Sequence, residues 1–187
     1  MVAYPKAQTA GNTNILAIGW NDATSTLTDV TDTAGNTYQQ AVGLSTSASM
    51  SQTIYYASNI VASPAGTNTV RVAFNAAADY IDLRIVEYSG LSHLDPVGQK
   101  TSRSGSGTLA TTDSINTTTP FELLFSAGMT RGSFSNAGAG FTKRVITSPD
   151  ADIVQDRIAM FPTAVKATAP SSDSEWLLQL VAFRASP

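Results

Sequence analysis

The stretch Glu175-Trp-Leu-Leu-Gln-Leu-Val-Ala-Phe183 decides the fold class of this 187-residue chain. Successive side chains of a strand point to opposite faces, and in this stretch apolar residues occupy both faces. A strand that is apolar on both sides is typical of one packed between two layers. The stretch Ile15-Leu-Ala-Ile-Gly-Trp20 has the same character. The sequence therefore predicts two central strands.

Shorter apolar and β-branched runs recur between these two stretches, and clusters of Gly, Asn, Asp and Pro separate them. No run combines helical spacing with helix caps. We predict strands over 14–20, 51–57, 68–74, 80–88, 122–129, 142–148, 154–160 and 175–183, with weaker candidates at 26–32, 36–44, 106–118 and 164–169. Many short strands with turns between them predict an all-β fold, an antiparallel β-sandwich of the jelly-roll or Ig-like type.

The order of these patterns repeats along the chain. Each half opens with an apolar strand, at 14–20 and at 122–129, and closes with a long apolar strand, at 80–88 and at 175–183. Two interpretations stay open: two pseudo-repeated halves whose strands interleave into one sandwich, or the recurrence that any antiparallel sandwich shows. In either case we predict a single domain over 1–187. A lead-in segment would occupy 1–13, and a Ser/Gly-rich connection between the halves would occupy 89–120.

Composition excludes several classes of partner. The chain has 11 Lys and Arg against 14 Asp and Glu, a formal net charge of −3. It lacks the basic surface that displaces counterions from nucleic acid, so we predict no nucleic-acid partner. No apolar run approaches the ~18 residues of a membrane helix, so we predict no membrane span. The charged fraction of 13% is about half the usual value, which favours a secreted or cell-surface location.

The residues that enzymes need for bond-breaking are scarce. The one histidine, His93, follows Ser92, but adjacency in sequence does not create a catalytic triad. One His and no Cys are too few ligands for zinc, copper or haem. We therefore predict that the chain is not an enzyme. A hydrolase that uses Glu87 or Glu122 is the most distant alternative.

Glu87 is unusual because it lies inside an otherwise apolar strand. A carboxylate that points into a core must be paired or protonated. We favour a buried structural ion pair over a general acid, and the available partners are Arg144, Arg157 and Arg184.

Two loops, 29–36 and 148–152, concentrate oxygen-bearing side chains. Calcium takes six to eight oxygen ligands from carboxylates, amides and carbonyls. The favoured alternative is that these Asp and Asn side chains cap local turns. Calcium is the one cofactor that the sequence suggests, and Asp150 and Asp152 are its best candidate ligands.

Aromatic residues beside amide-rich loops suggest a second kind of site. Sugar rings present apolar C–H faces that dock on flat aromatic side chains, while nearby polar groups bind the hydroxyls. Trp20 ends a predicted strand, and Tyr55 and Tyr56 point to opposite faces of another, so only one of the two can be core. With Tyr38, which precedes two glutamines, these residues form the predicted ligand-binding set. The alternative is that the rings fill the core.

Several stretches together resemble a known type of module. They are AQTAGNTNILAIGWNDAT, VTDTAGNTYQQAVG, QTIYYASNI, NTVRVAF, RIVEYSGL, ELLFSAG, GAGFTKRVITSPDADIVQDR and WLLQLVAFR. The chain resembles a β-sandwich module of secreted bacterial proteins, which often occurs in tandem with Ig-like or carbohydrate-active domains. The resemblance implies an accessory, adhesive or carbohydrate-binding role outside the cell, and it brings no functional residues with it.

Two functions remain as expectations. The first is a non-catalytic extracellular module that binds polysaccharide or glycan. The alternative is a structural or adhesive subunit that binds copies of itself through exposed sheet edges, as in a filament, a surface layer or a capsid-decorating protein.

Overall fold

A computed structural model describes residues 1–187. The molecule is all-β, with 56% of its residues in strands and no helix, which confirms the predicted fold class. Its fourteen strands are β1 (Val2–Ala3), β2 (Thr13–Trp20), β3 (Leu27–Asp32), β4 (Gln39–Thr46), β5 (Ser51–Ala57), β6 (Thr69–Phe74), β7 (Asp82–Tyr88), β8 (Val97–Thr111), β9 (Ile115–Asn116), β10 (Glu122–Thr130), β11 (Thr142–Ile146), β12 (Ile153–Ala159), β13 (Ala164–Val165) and β14 (Thr168–Phe183).

Two antiparallel sheets pack face to face. The first sheet has four strands in the order β4-β5-β2-β7, and the second has five in the order β11-β12-β10-β14-β8. Their facing side chains form a buried core that includes Ile15 and Ile54 from the first sheet and Phe125, Val181 and Phe183 from the second. Burial of these apolar side chains is the main force that holds the sandwich together.

Both outer faces of the sandwich are covered as well. A three-stranded outer sheet, β1-β6-β3, lies over the first sheet, and Leu16, Ile18 and Trp20 pack with Val70 in that layer. The second sheet packs its other face against β9, β13 and the chain around Phe134. Because both central strands are buried on two sides, their sequences are apolar on both faces.

The two halves of the chain have the same strand order. The first sheet has the order β4-β5-β2-β7, and the second begins with the order β11-β12-β10-β14. In this comparison β2 corresponds to β10, β4 to β11, β5 to β12 and β7 to β14. Each half nevertheless builds a sheet of its own, so the expectation that strands of the halves interleave is wrong. The halves instead meet face to face across the shared core.

The predicted connection at 89–120 contains a long strand. β8 pairs with β14 over most of its 15 residues, and Gly105 lies inside it, opposite Trp176. A Cβ added at Gly105 would come within 2.7 Å of Cζ2 of Trp176. The glycine thus allows the Trp176 ring to pack on the backbone of β8. The Ser/Gly-rich stretch is therefore largely a strand whose small side chains leave room for this ring.

The lead-in segment at 1–13 is ordered against the outer sheet. Val2 pairs with Val70 on β6, and Gln8 forms an isolated bridge with Ser63. The Gln8 side chain is buried, donates to Oδ1 of Asn14 across 2.7 Å and accepts from Nδ2 of Asn68, also across 2.7 Å. These bonds hold the segment in place, and its residues 4–7 lie beside β7.

Candidate functional site

A polar cleft of about 190 Å³ opens at the end of the sandwich where β2 and β10 finish. Loops that follow four different strands, β2, β6, β10 and β11, supply most of its lining. These residues include Asn21, Tyr80, Thr130, Arg131, Asp150 and Asp152. Loops carried by a rigid scaffold are common places for binding residues.

Tyr80 presents an exposed aromatic ring at this cleft. It has a positive φ of 47° and is 73% exposed. A positive φ is uncommon for a bulky residue and costs free energy. The loop is anchored where the N–H of Asn21 donates to the carbonyl oxygen of Asp79 across 2.7 Å. This bond ties the Tyr80 loop to the end of β2.

Asp152 forms the buried side of the cleft. Its Oδ1 accepts a hydrogen bond from the N–H of Thr130 across 3.0 Å. Burial raises the pKa of Asp152 to about 7, the nearby carboxylates of Asp82 and Asp150 add to the rise, and Arg84 opposes it. The charge of the cleft therefore changes near neutral pH.

Arg84 lies behind the cleft, between the two sheets. Its Nη1 donates to the carbonyl oxygens of Gly128 across 2.9 Å and Ile153 across 3.0 Å. Its Nη2 donates to Oε1 of Gln52 across 3.0 Å, and its Nε lies 3.5 Å from Oδ2 of Asp82. The guanidinium therefore holds the strands that carry the cleft in a fixed position.

Trp20 and Tyr56, two of the predicted sugar platforms, lie in the core. Trp20 is fully buried and packs edge-to-face on Phe74, with 5.0 Å between ring centroids. Tyr56 is buried between the sheets, where it packs edge-to-face on Phe183. Because layers cover these rings, neither can stack against a ligand at the surface. Their burial fits the alternative interpretation, in which these two rings fill the core.

Tyr38 and Tyr55 are half-buried and pack on the outer side of the first sheet. The hydroxyl of Tyr38 donates to Oδ2 of Asp32 across 2.9 Å and accepts from Nδ2 of Asn14 across 3.3 Å. Burial raises the pKa of Tyr38. Tyr38 and Tyr55 therefore belong to the layer that contains Trp20, whereas Tyr56 lies on the opposite face of β5. The four predicted residues do not form one surface.

Asp32 is the centre of the polar network to which Tyr38 belongs. Its carboxylate accepts from the N–H of Asn36 across 2.9 Å, from Nδ2 of Asn36 across 2.7 Å and from Nδ2 of Asn68 across 3.0 Å. Burial alone would raise the pKa of Asp32, but the hydrogen bonds from Asn36, Asn68 and Tyr38 lower it. In loop 29–36 the oxygens of Asp32 thus fix a turn.

Asp150 and Asp152, the predicted calcium ligands, line the same cleft. No group of three or more His, Cys, Asp or Glu side chains is arranged to hold a metal ion. Calcium bound here would have the two carboxylates, with backbone carbonyls and water as the remaining oxygens. The cleft therefore offers an incomplete set of protein ligands.

The carboxylates of Glu87 and Glu122, the two candidate acids, accept hydrogen bonds from neighbouring loop residues. Oε1 of Glu87 accepts from the N–H of Thr9 across 2.9 Å and from Nδ2 of Asn12 across 2.6 Å. Oε1 of Glu122 accepts from the N–H groups of Thr118 and Thr119, each across 2.8 Å.

The predicted ion pair between Glu87 and an arginine is wrong. Arg144 pairs with Asp156 across 2.5 Å, Arg184 pairs with Asp95 across 2.8 Å, and Arg157 forms no ion pair. Neutral donors satisfy Glu87 instead, because the lead-in segment folds over it.

Most of the cleft cannot be found from sequence patterns. Tyr80 falls at the start of a predicted strand, 80–88, and its exposure depends on a loop that no periodicity reveals. Arg84 does carry a signal, since it is a charged residue inside an apolar strand. The density of oxygen-bearing side chains is enough to find Asp150 and Asp152.

No protein-family model, curated protein or solved structure matches the chain. The molecule also has no helix of the length and apolarity that a membrane span requires.

Proposed function

We propose that the chain is a non-catalytic module that binds glycans outside the cell or at its surface, with the sugar held in the cleft beside Tyr80. One observation carries the proposal: an exposed aromatic ring stands next to a cleft rich in hydrogen-bonding groups. The resemblance to β-sandwich modules of secreted bacterial proteins points in the same direction.

The chemistry of the cleft suits a sugar. The Tyr80 ring offers a flat apolar face for the C–H groups of a pyranose. Asp150 can accept hydrogen bonds from hydroxyls, and Arg131 and Asn21 can donate them. The volume of about 190 Å³ is below the range of drug-sized pockets. The cleft therefore suits a single sugar ring of a longer chain.

Affinity electrophoresis through gels that contain soluble polysaccharides tests the proposal, together with pull-down on insoluble ones. We expect retention on at least one polysaccharide, and we expect Tyr80→Ala to weaken it tenfold or more. Phe161→Ala is the matched control, because Phe161 is 74% exposed and lies outside the cleft. Equal retention of Tyr80→Ala and wild type would exclude the site, and no retention on any polysaccharide would exclude the function.

Repeating the pull-down with a chelator tests calcium. Lower retention in the chelator, restored by added calcium, supports a bound ion at Asp150 and Asp152. Unchanged retention means that the sugar binds without one.

A second candidate function is self-assembly through sheet edges. The observation that favours it is the edge of β11, which pairs with β12 on one side and with no strand on the other. Unpaired strand edges are templates for other chains. Sedimentation velocity at high protein concentration tests it, and a strictly monomeric profile would remove this candidate.

A further inference from the structure

β7 is the open edge of the first sheet. Its only pairing is with β2, from Thr13↔Tyr88 to Gly19↔Asp82. No backbone hydrogen bond joins β7 to a loop or to the outer sheet. The N–H and C=O groups on its other side therefore lack protein partners. Such groups can pair with an added strand.

The corresponding edge in the second half of the chain is filled. β14 is the counterpart of β7 in strand order, and β8 pairs along it. β8 also packs against β4 of the opposite sheet. By the same equivalence, a strand beside β7 would pack against β11. The lead-in segment at 1–13 does not take this position, because Val2 and Ala3 pair with β6.

The space beside β7 is a groove with two walls. Two adjoining clefts, of about 480 and 390 Å³, run along it and share Ile85 and Val86. The chain from Tyr4 to Ala7 forms one wall, and β11, through Arg144 and Val145, forms the other. We call this space the β7 groove.

We propose that the β7 groove binds an extended segment of another polypeptide, which adds a strand to the first sheet where β8 adds one to the second. Ile85 and Val145 make the groove apolar, so the segment carries apolar residues at alternate positions. Lys6, in the wall formed by residues 4–7, is exposed. It takes part in none of the four ion pairs of the molecule. A carboxylate in the segment would pair with it.

A single strand fits this groove better than a second copy of the chain. If two copies paired through their β7 strands, the β11 of each copy would have to cover the same pair of strands. The two β11 strands would then collide. A lone extended segment meets no such conflict. Its backbone hydrogen bonds supply affinity, and the two clefts supply selectivity.

The probe is a displayed library of random twelve-residue peptides, selected on the folded protein and followed by synthesis of the enriched peptide. We expect enriched peptides to alternate apolar residues and to carry an acidic residue. On binding, alternate amides of β7 should exchange their hydrogens at least tenfold more slowly. Lys6→Glu should weaken binding at least tenfold. Lys166→Glu, at another exposed lysine without an ion pair, should leave it unchanged.

Four results would overturn the proposal. The first three are a library that yields no peptide, protection that appears away from β7, and equal binding by Lys6→Glu and Lys166→Glu. Protection of β7 that rises with protein concentration in the absence of peptide would also overturn it, because the occupant would then be a second copy.

Discussion

Arg84 on β7 of the first sheet donates a hydrogen bond to the carbonyl oxygen of Gly128 on β10 of the second, across 2.9 Å. The guanidinium is almost fully buried, with Asp82 as its closest acid. A buried cation persists only where partners satisfy it. Arg84 therefore acts as a polar link between the two halves of the chain, beneath the proposed glycan cleft.

Arg84→Met should destabilise the fold by about 3–5 kcal/mol, because it leaves Gln52, two carbonyl oxygens and Asp82 without their buried partner. Urea unfolding measures the change. Arg71→Met is the control, since Arg71 is exposed on β6 and forms no ion pair, and it should change the free energy of unfolding by no more than about 0.5 kcal/mol. Equal effects of the two substitutions would contradict the assigned role.

Asp32→Ala should cost about 1–3 kcal/mol, because Asn36, Asn68 and Tyr38 lose their acceptor. Asp29→Ala, an exposed position on the same strand, is the control and should be nearly neutral. The pKa of Asp32 is lowered in the folded state, so its contribution is present above about pH 4 and is lost as the pH falls below that value. The difference between the variants should therefore shrink in acid. A difference between the variants that is as large at about pH 2 as at neutral pH would count against the network.

Gly105→Ala should destabilise the protein by about 1–3 kcal/mol, because the new methyl group would meet the Trp176 ring at 2.7 Å. Thermal unfolding followed by near-UV circular dichroism measures both the stability and the packing of that ring. Gly43→Ala on β4 is the control, since nothing lies within 4 Å of the position that its methyl group would take. If Gly105→Ala proves as stable as Gly43→Ala, the ring does not pack on the backbone of β8.

The strands are largely predictable from the sequence, whereas the layers are not. Alternation and apolar runs place β5 at 51–57, the observed bounds, because those signals are local. The Ser/Gly-rich sequence of β8 predicts only part of that strand, since it becomes a strand by pairing with β14. Trp20 looks like part of a sugar site because no local pattern reveals that the outer sheet covers it.

The candidate site divides in the same way. Asp150 and Asp152 can be found because oxygen-rich loops are visible in sequence, and both line the cleft. Tyr80 escapes prediction because its exposure follows from a left-handed backbone conformation and from the anchoring of its loop at Asn21. Such properties depend on tertiary contacts.

Asp152→Asn should change the pH dependence of stability. Asp152 holds its proton up to about pH 7 in the folded state, but only below about pH 4 in the unfolded chain. Between these values the folded protein binds more protons, so its free energy of unfolding falls as the pH rises and levels off above about pH 7. The variant should lack this fall and should gain roughly 2–4 kcal/mol over wild type at about pH 8.

The control for this prediction is Asp173→Asn, at an exposed aspartate without an ion pair. It should follow the wild-type pH profile. A free energy of unfolding that falls between about pH 4 and pH 7 as steeply in Asp152→Asn as in wild type would show that Asp152 is not the titrating group.

The most direct measurement of glycan binding is an array probed with the labelled wild-type protein and with Tyr80→Ala. We predict that wild type binds at least one class of glycan and that Tyr80→Ala loses this signal while Phe161→Ala keeps it. Folded wild-type protein that binds no glycan on the array would contradict the proposed function.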